Sequence, residues 1–343
     1  MRLLVFTQEV DKNDPIMGFF HNWILKLSKK TDSLIVICLR KGEYDLPKNV
    51  KVLSLGKEDG RSVIKYVFRF YKYIILEWRN YDNVFVHMNQ EYVLLGGMLW
   101  RLFGKKVSMW RNHPAGNFLT NIAIRLSSVV FCTSNSSYTA KYKKTKIMPV
   151  GIDVDIFSVV PGIERKRSSI LIFGRISPIK KVHVIVDALN MLHEEGVLFT
   201  ADSFGEALEQ HKGYYDEVLA KAKPLIDNNI MTFSKGIPNY RAPEEFSKSE
   251  LYINATPDGS FDKTILEAMS CGSLPVVCNS SLEGVISSET IFKVDNPTDL
   301  KEKIKNSINL SDEEKERERE YIRKIVVEDH SLEKLINSLL YNL

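Results

Sequence analysis

Two basic side chains follow a predicted strand in the second half of the sequence. The apolar run from Ser169 to Gly174 predicts a buried strand, and Arg175 and Lys180 lie in the turn after it. An arginine binds a diphosphate through its planar guanidinium group, and a lysine binds it as a point charge. The pair could therefore bind a diphosphate, although a solvated basic loop would show the same pattern.

A second candidate site runs from Asp258 into a helix predicted to start near Asp262 or Lys263. Backbone N–H groups at a helix N-terminus bind anions, so this loop could hold phosphate groups. Glu267 lies about one turn inside the helix, where a carboxylate could accept hydrogen bonds from the hydroxyls of a ribose. An amphipathic helix with a capping acid is the alternative.

A histidine also stands at a predicted strand exit. His113 follows the strand that ends near Met109, beside Arg111 and Asn112. A histidine in such a loop is more often functional than a histidine within a core. The histidines of the second half show no ligand spacing and the four cysteines form no C-x-x-C pair, so we expect neither a metal site nor disulfides.

Strand-like runs alternate with helical segments along the chain, which is typical of parallel sheets covered by helices on both faces. The alternation runs through residues 1 to 157 and restarts at Ser169 after a polar, basic stretch. We therefore predict two doubly wound α/β domains, 1–157 and 158–325. Ligands bind at the carboxyl ends of such strands, so two facing domains would place a site in the cleft between them.

Three stretches together resemble family 4 of the retaining glycosyltransferases, which have the GT-B fold of two facing Rossmann-like domains. These are MPVGID (148–153), GRISPIKK (174–181) and SFDKTILEAMSCGSLPVV (260–277). The resemblance implies that Arg175 and Lys180 bind the diphosphate of a nucleotide sugar and that Glu267 binds its ribose. It also implies that the last helix, about 326–343, packs back on the first domain.

The resemblance implies further site residues. His113 corresponds to a histidine that contacts the transferred sugar, Gly18 to a glycine turn that faces the donor phosphates, and Gly236 and Ile237 to a segment against the nucleotide base. The remaining donor-binding positions of the loop and helix start are Asp258, Gly259, Ser260, Phe261, Asp262, Lys263 and Thr264. The family implies no metal ion, no cofactor and no protein nucleophile.

The sequence departs from the family pattern at the sugar end of this loop. Gly259 stands where the family has the first glutamate of its E-x7-E element, and Asp258 is one position away. The G-F-G core of the family appears as Ser260-Phe261-Asp262, and Lys263 replaces an apolar residue. The identity of the transferred sugar therefore does not follow from the resemblance.

The net charge of +4 hides an asymmetry, because residues 1–157 carry +11 and the remainder carries −7. A basic half favours an anionic partner such as a membrane surface or a phosphorylated acceptor, but a soluble surface remains the alternative. The segment 61–80 predicts an amphipathic helix. Its predicted core face is Ile64, Val67, Phe68, Tyr71, Ile74, Ile75 and Trp78, and its basic face is Arg61, Lys65, Arg69 and Lys72.

We thus expect a cytoplasmic retaining glycosyltransferase that transfers a sugar to a glycan or a lipid-linked acceptor. A peripheral position on the inner face of a membrane is one option for it. A degenerate glycosyltransferase-like binding protein and a nucleotide-sugar 2-epimerase are the alternatives. A nucleic-acid partner is not expected, because no recognition motif accompanies the basic half.

Overall fold

A computed structural model of the protein describes residues 1–14, 16–60, 62–258 and 262–343. The chain forms two compact units. The first comprises Met1–Gly151 with Leu332–Leu343, and the second comprises Ile152–Ser331. The break thus falls at Gly151, six residues before the expected position, and the segment that returns to the first unit starts at Leu332 instead of near 326.

The sheet of the first unit has seven strands in the order β3-β2-β1-β4-β5-β6-β7, and all neighbours are parallel. The strands are β1 (Arg2–Val10), β2 (Ser33–Lys41), β3 (Val50–Ser54), β4 (Asn83–His87), β5 (Lys106–Trp110), β6 (Val129–Cys132) and β7 (Thr145–Ile147). The strand order reverses between β1 and β4, as in doubly wound folds.

Helices cover both faces of this sheet. They are α1 (Gly18–Ser28), α2 (Val63–Leu76), α3 (Gln90–Leu102), α4 (Phe118–Leu126) and, at the chain end, α11 (Leu332–Asn342). Side chains of α1 and α11 pack together on one face, and side chains of α2, α3 and α4 pack on the other. Successive side chains of β1 point to opposite faces of the sheet and so contribute to both cores, Leu3 to the first and Leu4 to the second.

The sheet of the second unit has five parallel strands in the order β10-β9-β8-β11-β12. They are β8 (Lys166–Phe173), β9 (Thr200–Phe204), β10 (Met231–Ser234), β11 (Ser249–Asn254) and β12 (Leu274–Val277). Its helices are α5 (Val182–Glu194), α6 (Lys212–Asp227), α7 (Ala242–Lys248), α8 (Lys263–Ser270), α9 (Pro297–Asn309) and α10 (Asp312–Asp329). The predicted α/β class is confirmed for both units.

The core face predicted for α2 is correct for Ile74, which is buried, and wrong for Ile64, Phe68 and Ile75, which are exposed. The other buried side chain is Phe70, which was not part of that prediction. Phe70 and Ile74 form a stripe, four residues apart, that fits against the sheet. The ring of Phe70 lies 5.2 Å from that of Phe6, whereas the wider stripe points to solvent.

The turns after β8, β9 and β10 are joined by backbone hydrogen bonds. Gly174 N–H donates to Phe204 O at 2.9 Å, and Gly205 N–H donates to Ser234 O at 3.0 Å. Gly205 has a φ of +153°, and a Cβ there would lie 1.9 Å from the carbonyl oxygen of Gly174. The glycine therefore lets two strand exits approach closely. Among the described residues, no helix is both long enough and apolar enough to cross a bilayer.

We expect Gly205→Ala to lower the free energy of unfolding of the second unit by about 2 kcal/mol or more, because the new Cβ collides with backbone. Gly236→Ala is the matched control, since a Cβ at Gly236 meets no neighbouring atom. All four tryptophans lie within residues 1–151. Unfolding of the second unit is therefore followed by far-UV circular dichroism, and equal loss in the two variants would contradict the prediction.

Candidate functional site

The carboxylate of Asp262 lies at the centre of a polar cluster at the carboxyl edge of the second sheet. Asn254, at the end of β11, donates to its Oδ2 at 2.7 Å, and Thr256 donates to the same oxygen at 3.3 Å. Thr264 donates to Oδ1 from its hydroxyl at 2.8 Å and from its backbone N–H at 3.3 Å. Lys180 forms an ion pair with Oδ2. We call these five residues the Asp262 cluster.

The Asp262 carboxylate is ionised at neutral pH. Burial disfavours its charged form, but Lys180 and the hydrogen-bond donors outweigh that cost and lower its pKa to about 2. Asp262 is the N-cap of α8, and its carboxylate accepts a hydrogen bond from the backbone N–H of Thr264. A carboxylate of the chain itself is therefore the hydrogen-bond acceptor at the start of this helix. The charge of Lys180 is neutralised at the same time.

Arg175 is an exposed cation at this edge. It follows β8 and Gly174 directly, and it lines a small pocket together with Lys180, Asn254 and Thr256. The structure thus brings together the two cations that the sequence predicted to act as a pair. Since Lys180 already has a carboxylate partner, Arg175 supplies the net positive charge of the pocket.

Glu267 is nearly fully buried, with 2% of its surface exposed. Its Oε1 lies 4.0 Å from the Nζ of Lys263, one turn earlier on α8, and Asn239 hydrogen-bonds to its carboxyl group. Burial raises the pKa of Glu267 to about 7, although Lys263 opposes the shift. A neutral solution thus contains both protonation states of this side chain.

The segment predicted to face the nucleotide base lies close to Glu267. Gly236 is exposed and Ile237 is half-buried, and both follow β10. Asn239, two residues later, is the residue that hydrogen-bonds to Glu267. The segment and the carboxylate are therefore neighbours, as a shared nucleoside site would require.

Asp258 has a different partner from the cluster. Its carboxylate accepts hydrogen bonds from the backbone N–H of Ser280, at 2.6 Å, and from the hydroxyl of the same residue. The structure thus ties Asp258 to the segment after β12. The predicted positions Gly259, Ser260 and Phe261 lie outside the described residues.

His113 lies in a loop of the first unit that its own hydrogen bonds hold in place. The Nδ1 of its ring is 3.0 Å from both the N–H and the carbonyl oxygen of Ala115, and its own carbonyl accepts the N–H of Tyr138 at 3.0 Å. Arg111 donates to Ala115 O at 2.9 Å. The loop therefore engages the Nδ1 edge of the ring.

Gly18 starts α1 and packs closely on the preceding loop. A Cβ at Gly18 would lie 3.1 Å from the carbonyl oxygen of Lys12. The Oδ1 of Asp14 accepts the N–H groups of Ile16 at 2.8 Å and of Met17 at 2.6 Å. The amides just before α1 are thus bound by a carboxylate of the chain, and a Cβ at Gly18 would be in tight contact with the backbone of the preceding loop.

Sequence reasoning missed Asn254 and Thr256. Asn254 ends a fully buried strand and Thr256 follows it, so both could have been singled out as polar residues at a strand exit, the criterion that selected His113. No group of three or more His, Cys, Asp or Glu side chains in the described part of the chain is placed to hold a metal ion.

Comparisons with known proteins agree with this architecture. HepE of Anabaena, solved with UDP and glucose, is 17% identical, has a TM-score of 0.76 and matches over 99% of this chain and 98% of its own. A glycosyltransferase from Rickettsia africae is 15% identical, with a TM-score of 0.77 and coverage of 99% and 96%. A sucrose-phosphate synthase from Thermosynechococcus elongatus is 13% identical, with a TM-score of 0.79 and coverage of 99% and 98%.

Sequence comparison gives a match in the second unit. No curated protein sequence matches the chain. Residues 167–309, which include β8 without its first residue, β9 to β12 and the Asp262 cluster, match the model of the family of glycosyl transferases group 1. The resemblance predicted from the motifs is therefore confirmed: residues 167–309 match the group 1 glycosyl transferases, and the chain has the GT-B fold.

Proposed function

We propose that the protein is a retaining glycosyltransferase that transfers a sugar from a nucleotide-diphosphate sugar to an acceptor hydroxyl. One observation carries the proposal. Arg175, Lys180 and Glu267 lie along the carboxyl edge of one parallel sheet, inside the segment that matches the family. That edge is where doubly wound sheets bind nucleotides.

Each of these side chains has a role that its surroundings support. Arg175 and Lys180 bind the diphosphate, and Glu267 accepts hydrogen bonds from the ribose hydroxyls. Gly236 and Ile237 lie against the base. The complexes of HepE with UDP and with UDP-glucose support a nucleotide-sugar donor for this fold.

In the proposed reaction, the bond between the sugar C1 and the diphosphate oxygen breaks, and its electron pair leaves with the diphosphate. The acceptor oxygen attacks C1 from the same face, and its proton passes to an oxygen of the leaving phosphate. Arg175 and Lys180 stabilise the charge that develops there. The proposal uses no protein nucleophile, metal ion or cofactor.

The first unit would bind the acceptor in this proposal, with His113 contacting the transferred sugar. Its loop geometry supports that role, because an ordered loop holds a ring in one orientation without cost at binding. We propose a glycan or a lipid-linked sugar as the acceptor, and the basic charge of residues 1–157 supports an acceptor that carries phosphate.

A second candidate function is a degenerate glycosyltransferase that binds nucleotides without transfer. The observation that favours it is the ion pair between Asp262 and Lys180, because the carboxylate competes with a diphosphate for the same cation. Gly259 at the position of the missing glutamate points the same way. The two candidates differ in whether a bound sugar nucleotide turns over.

The first prediction of this proposal concerns Arg175. We expect Arg175→Ala to weaken UDP binding roughly 10- to 100-fold, because a charge-assisted hydrogen bond contributes about 1.5–3 kcal/mol. Arg167→Ala is the matched control, since Arg167 is at the other end of β8 and pairs with Asp312 at 2.9 Å. The measurement is isothermal titration calorimetry, and equal affinity in the two variants would refute the donor site.

The second prediction concerns the Asp262 cluster. Asp262→Asn should increase the affinity for UDP up to about tenfold, because it removes a carboxylate that repels the phosphates and leaves Lys180 with an unneutralised charge. It should also lower the melting temperature, because a buried ion pair loses one partner. Asp295→Asn, which breaks the neighbouring pair with Lys181, is the control and should change UDP affinity little.

The double variant Asp262→Asn with Lys180→Ala should lose the gain in UDP affinity, because the cation is then absent. If UDP affinity falls in Asp262→Asn itself, the cluster positions Lys180 and does not compete with the ligand.

The third prediction concerns Glu267. Since ribose hydroxyls donate to an ionised carboxylate, UDP binding requires loss of the proton from a group whose pKa is raised to about 7. UDP affinity of the wild type should therefore fall as the pH is lowered from 8 to 6, by up to about tenfold per pH unit below 7. Glu267→Gln should bind UDP more weakly at pH 8 and lack this dependence.

Inorganic diphosphate separates the ribose contact from phosphate titration. Its affinity should be the same in the wild type and in Glu267→Gln at each pH. An equal loss for both ligands would mean that Glu267 acts on the phosphates or on the fold.

A further inference from the structure

The outer side of α2 and the end of α3 carries large apolar side chains that are exposed to solvent. They are Ile64 (85% exposed), Phe68 (68%), Ile75 (62%), Met98 (67%), Leu102 (74%) and Phe103 (64%). We call these six residues the α2–α3 apolar face. Ile64, Phe68 and Ile75 follow helical spacing, as do Met98 and Leu102, so each helix presents one stripe.

The two helices form one continuous support for this face. The hydroxyl of Tyr71 on α2 donates to the carbonyl oxygen of Leu95 on α3 at 3.0 Å. At the other end of α2, the ring of Trp78 lies 5.1 Å from that of Phe103. Underneath, the ring of Phe70 packs against Trp100 at 5.9 Å. Because the inner side chains fix both helices, the outer stripes keep their relative position.

The charge around the face is mostly positive. The sequence from 92 to 152 contains nine Lys and Arg and no Asp or Glu. Exposed cations lie on α2, just after it and on α3: Lys65, Lys72, Arg79 and Arg101. Two acids of the same region are neutralised, since Glu77 pairs with Lys51 at 2.6 Å and Asp82 pairs with Arg2 at 2.6 Å. Basic side chains thus surround the α2–α3 apolar face.

We propose that the α2–α3 apolar face docks on the surface of a bilayer that contains anionic phospholipid. Apolar side chains with basic neighbours fit this partner, because the acyl boundary accepts the former and the headgroups attract the latter. A second copy of the chain fits less well. A symmetric contact would bring each basic surrounding against an identical one.

This face differs from the basic face predicted from the sequence. Arg69, which was part of that prediction, pairs with Asp59 at 3.2 Å, whereas Lys65 and Lys72 are exposed on the helix that carries the apolar stripe. The predicted Arg61 lies outside the described residues. Docking is therefore expected to depend on apolar and basic side chains together. It is independent of the donor site, which lies in the second unit.

The experiment compares two double variants. One carries Phe68→Ser and Leu102→Ser within the face, and the control carries Tyr341→Ser and Leu198→Ser. The control pair has the same chemistry and greater exposure, 89% for Tyr341 and 87% for Leu198, at positions outside the face. The wild type and the two double variants are each sedimented with phosphatidylcholine vesicles that contain 30 mol% phosphatidylglycerol, and with vesicles of phosphatidylcholine alone. Tryptophan emission, to which Trp78 next to Phe103 contributes, gives a second readout.

We expect the wild type and the control to bind the anionic vesicles and to shift tryptophan emission to the blue, and the Phe68/Leu102 variant to bind on the order of a hundredfold more weakly. A triple variant that carries Lys65→Gln, Lys72→Gln and Arg79→Gln should also bind the anionic vesicles on the order of a hundredfold more weakly. Vesicles without anionic lipid should bind the wild type weakly.

Three results would overturn the proposal: no binding of the wild type to anionic vesicles, equal binding of the Phe68/Leu102 variant and the wild type, or a wild-type dimer in light scattering that this variant converts to a monomer. UDP affinity should be unchanged in every variant, so failure of docking is distinguishable from failure of the donor site.

Discussion

The buried carboxylate of Asp262 is the constraint on which the arrangement of the second unit's site depends. A buried charge is tolerated only where it is paired and hydrogen-bonded. Asp262 meets this condition by drawing in Lys180 from the turn after β8, Asn254 and Thr256 from the end of β11, and Thr264 from α8. One side chain thereby fixes the relative positions of three elements that carry the proposed donor contacts.

Two of the positions that depart from the family pattern, Asp262 and Lys263, pair with two residues that the family implies in donor binding. Asp262 pairs with Lys180, and Lys263 lies one turn from Glu267. The pairs have opposite consequences for protonation, because Asp262 is held ionised whereas burial raises the pKa of Glu267 to about 7. The departures therefore change the charge state that a donor meets, in addition to the side chains that it touches.

Local patterns predicted the elements well where one interaction dominates. The buried strand before Arg175 and the start of α8, where Asp262 accepts from Thr264, were predicted from the sequence, because strand burial and a helix cap act within a few residues. The pair between Asp262 and Lys180 joins residues 82 positions apart and depends on strand order, which no local pattern contains. The inward stripe of α2 depends in the same way on Phe6 and Trp100, so helical spacing alone could not select it.

Charge acts differently in the two units. In the second, the central charges are buried partners in contact, and solvent ions screen such pairs little. In the first, the cations from 92 to 152 stand in a sequence without acids, and Lys65 and Lys72 are exposed on α2. Their field extends into solvent over a Debye length of about 8 Å at physiological salt. Added salt should therefore weaken the attraction of the first unit to an anionic surface much more than it loosens the Asp262 cluster, which gives the two kinds of interaction separate experimental signatures.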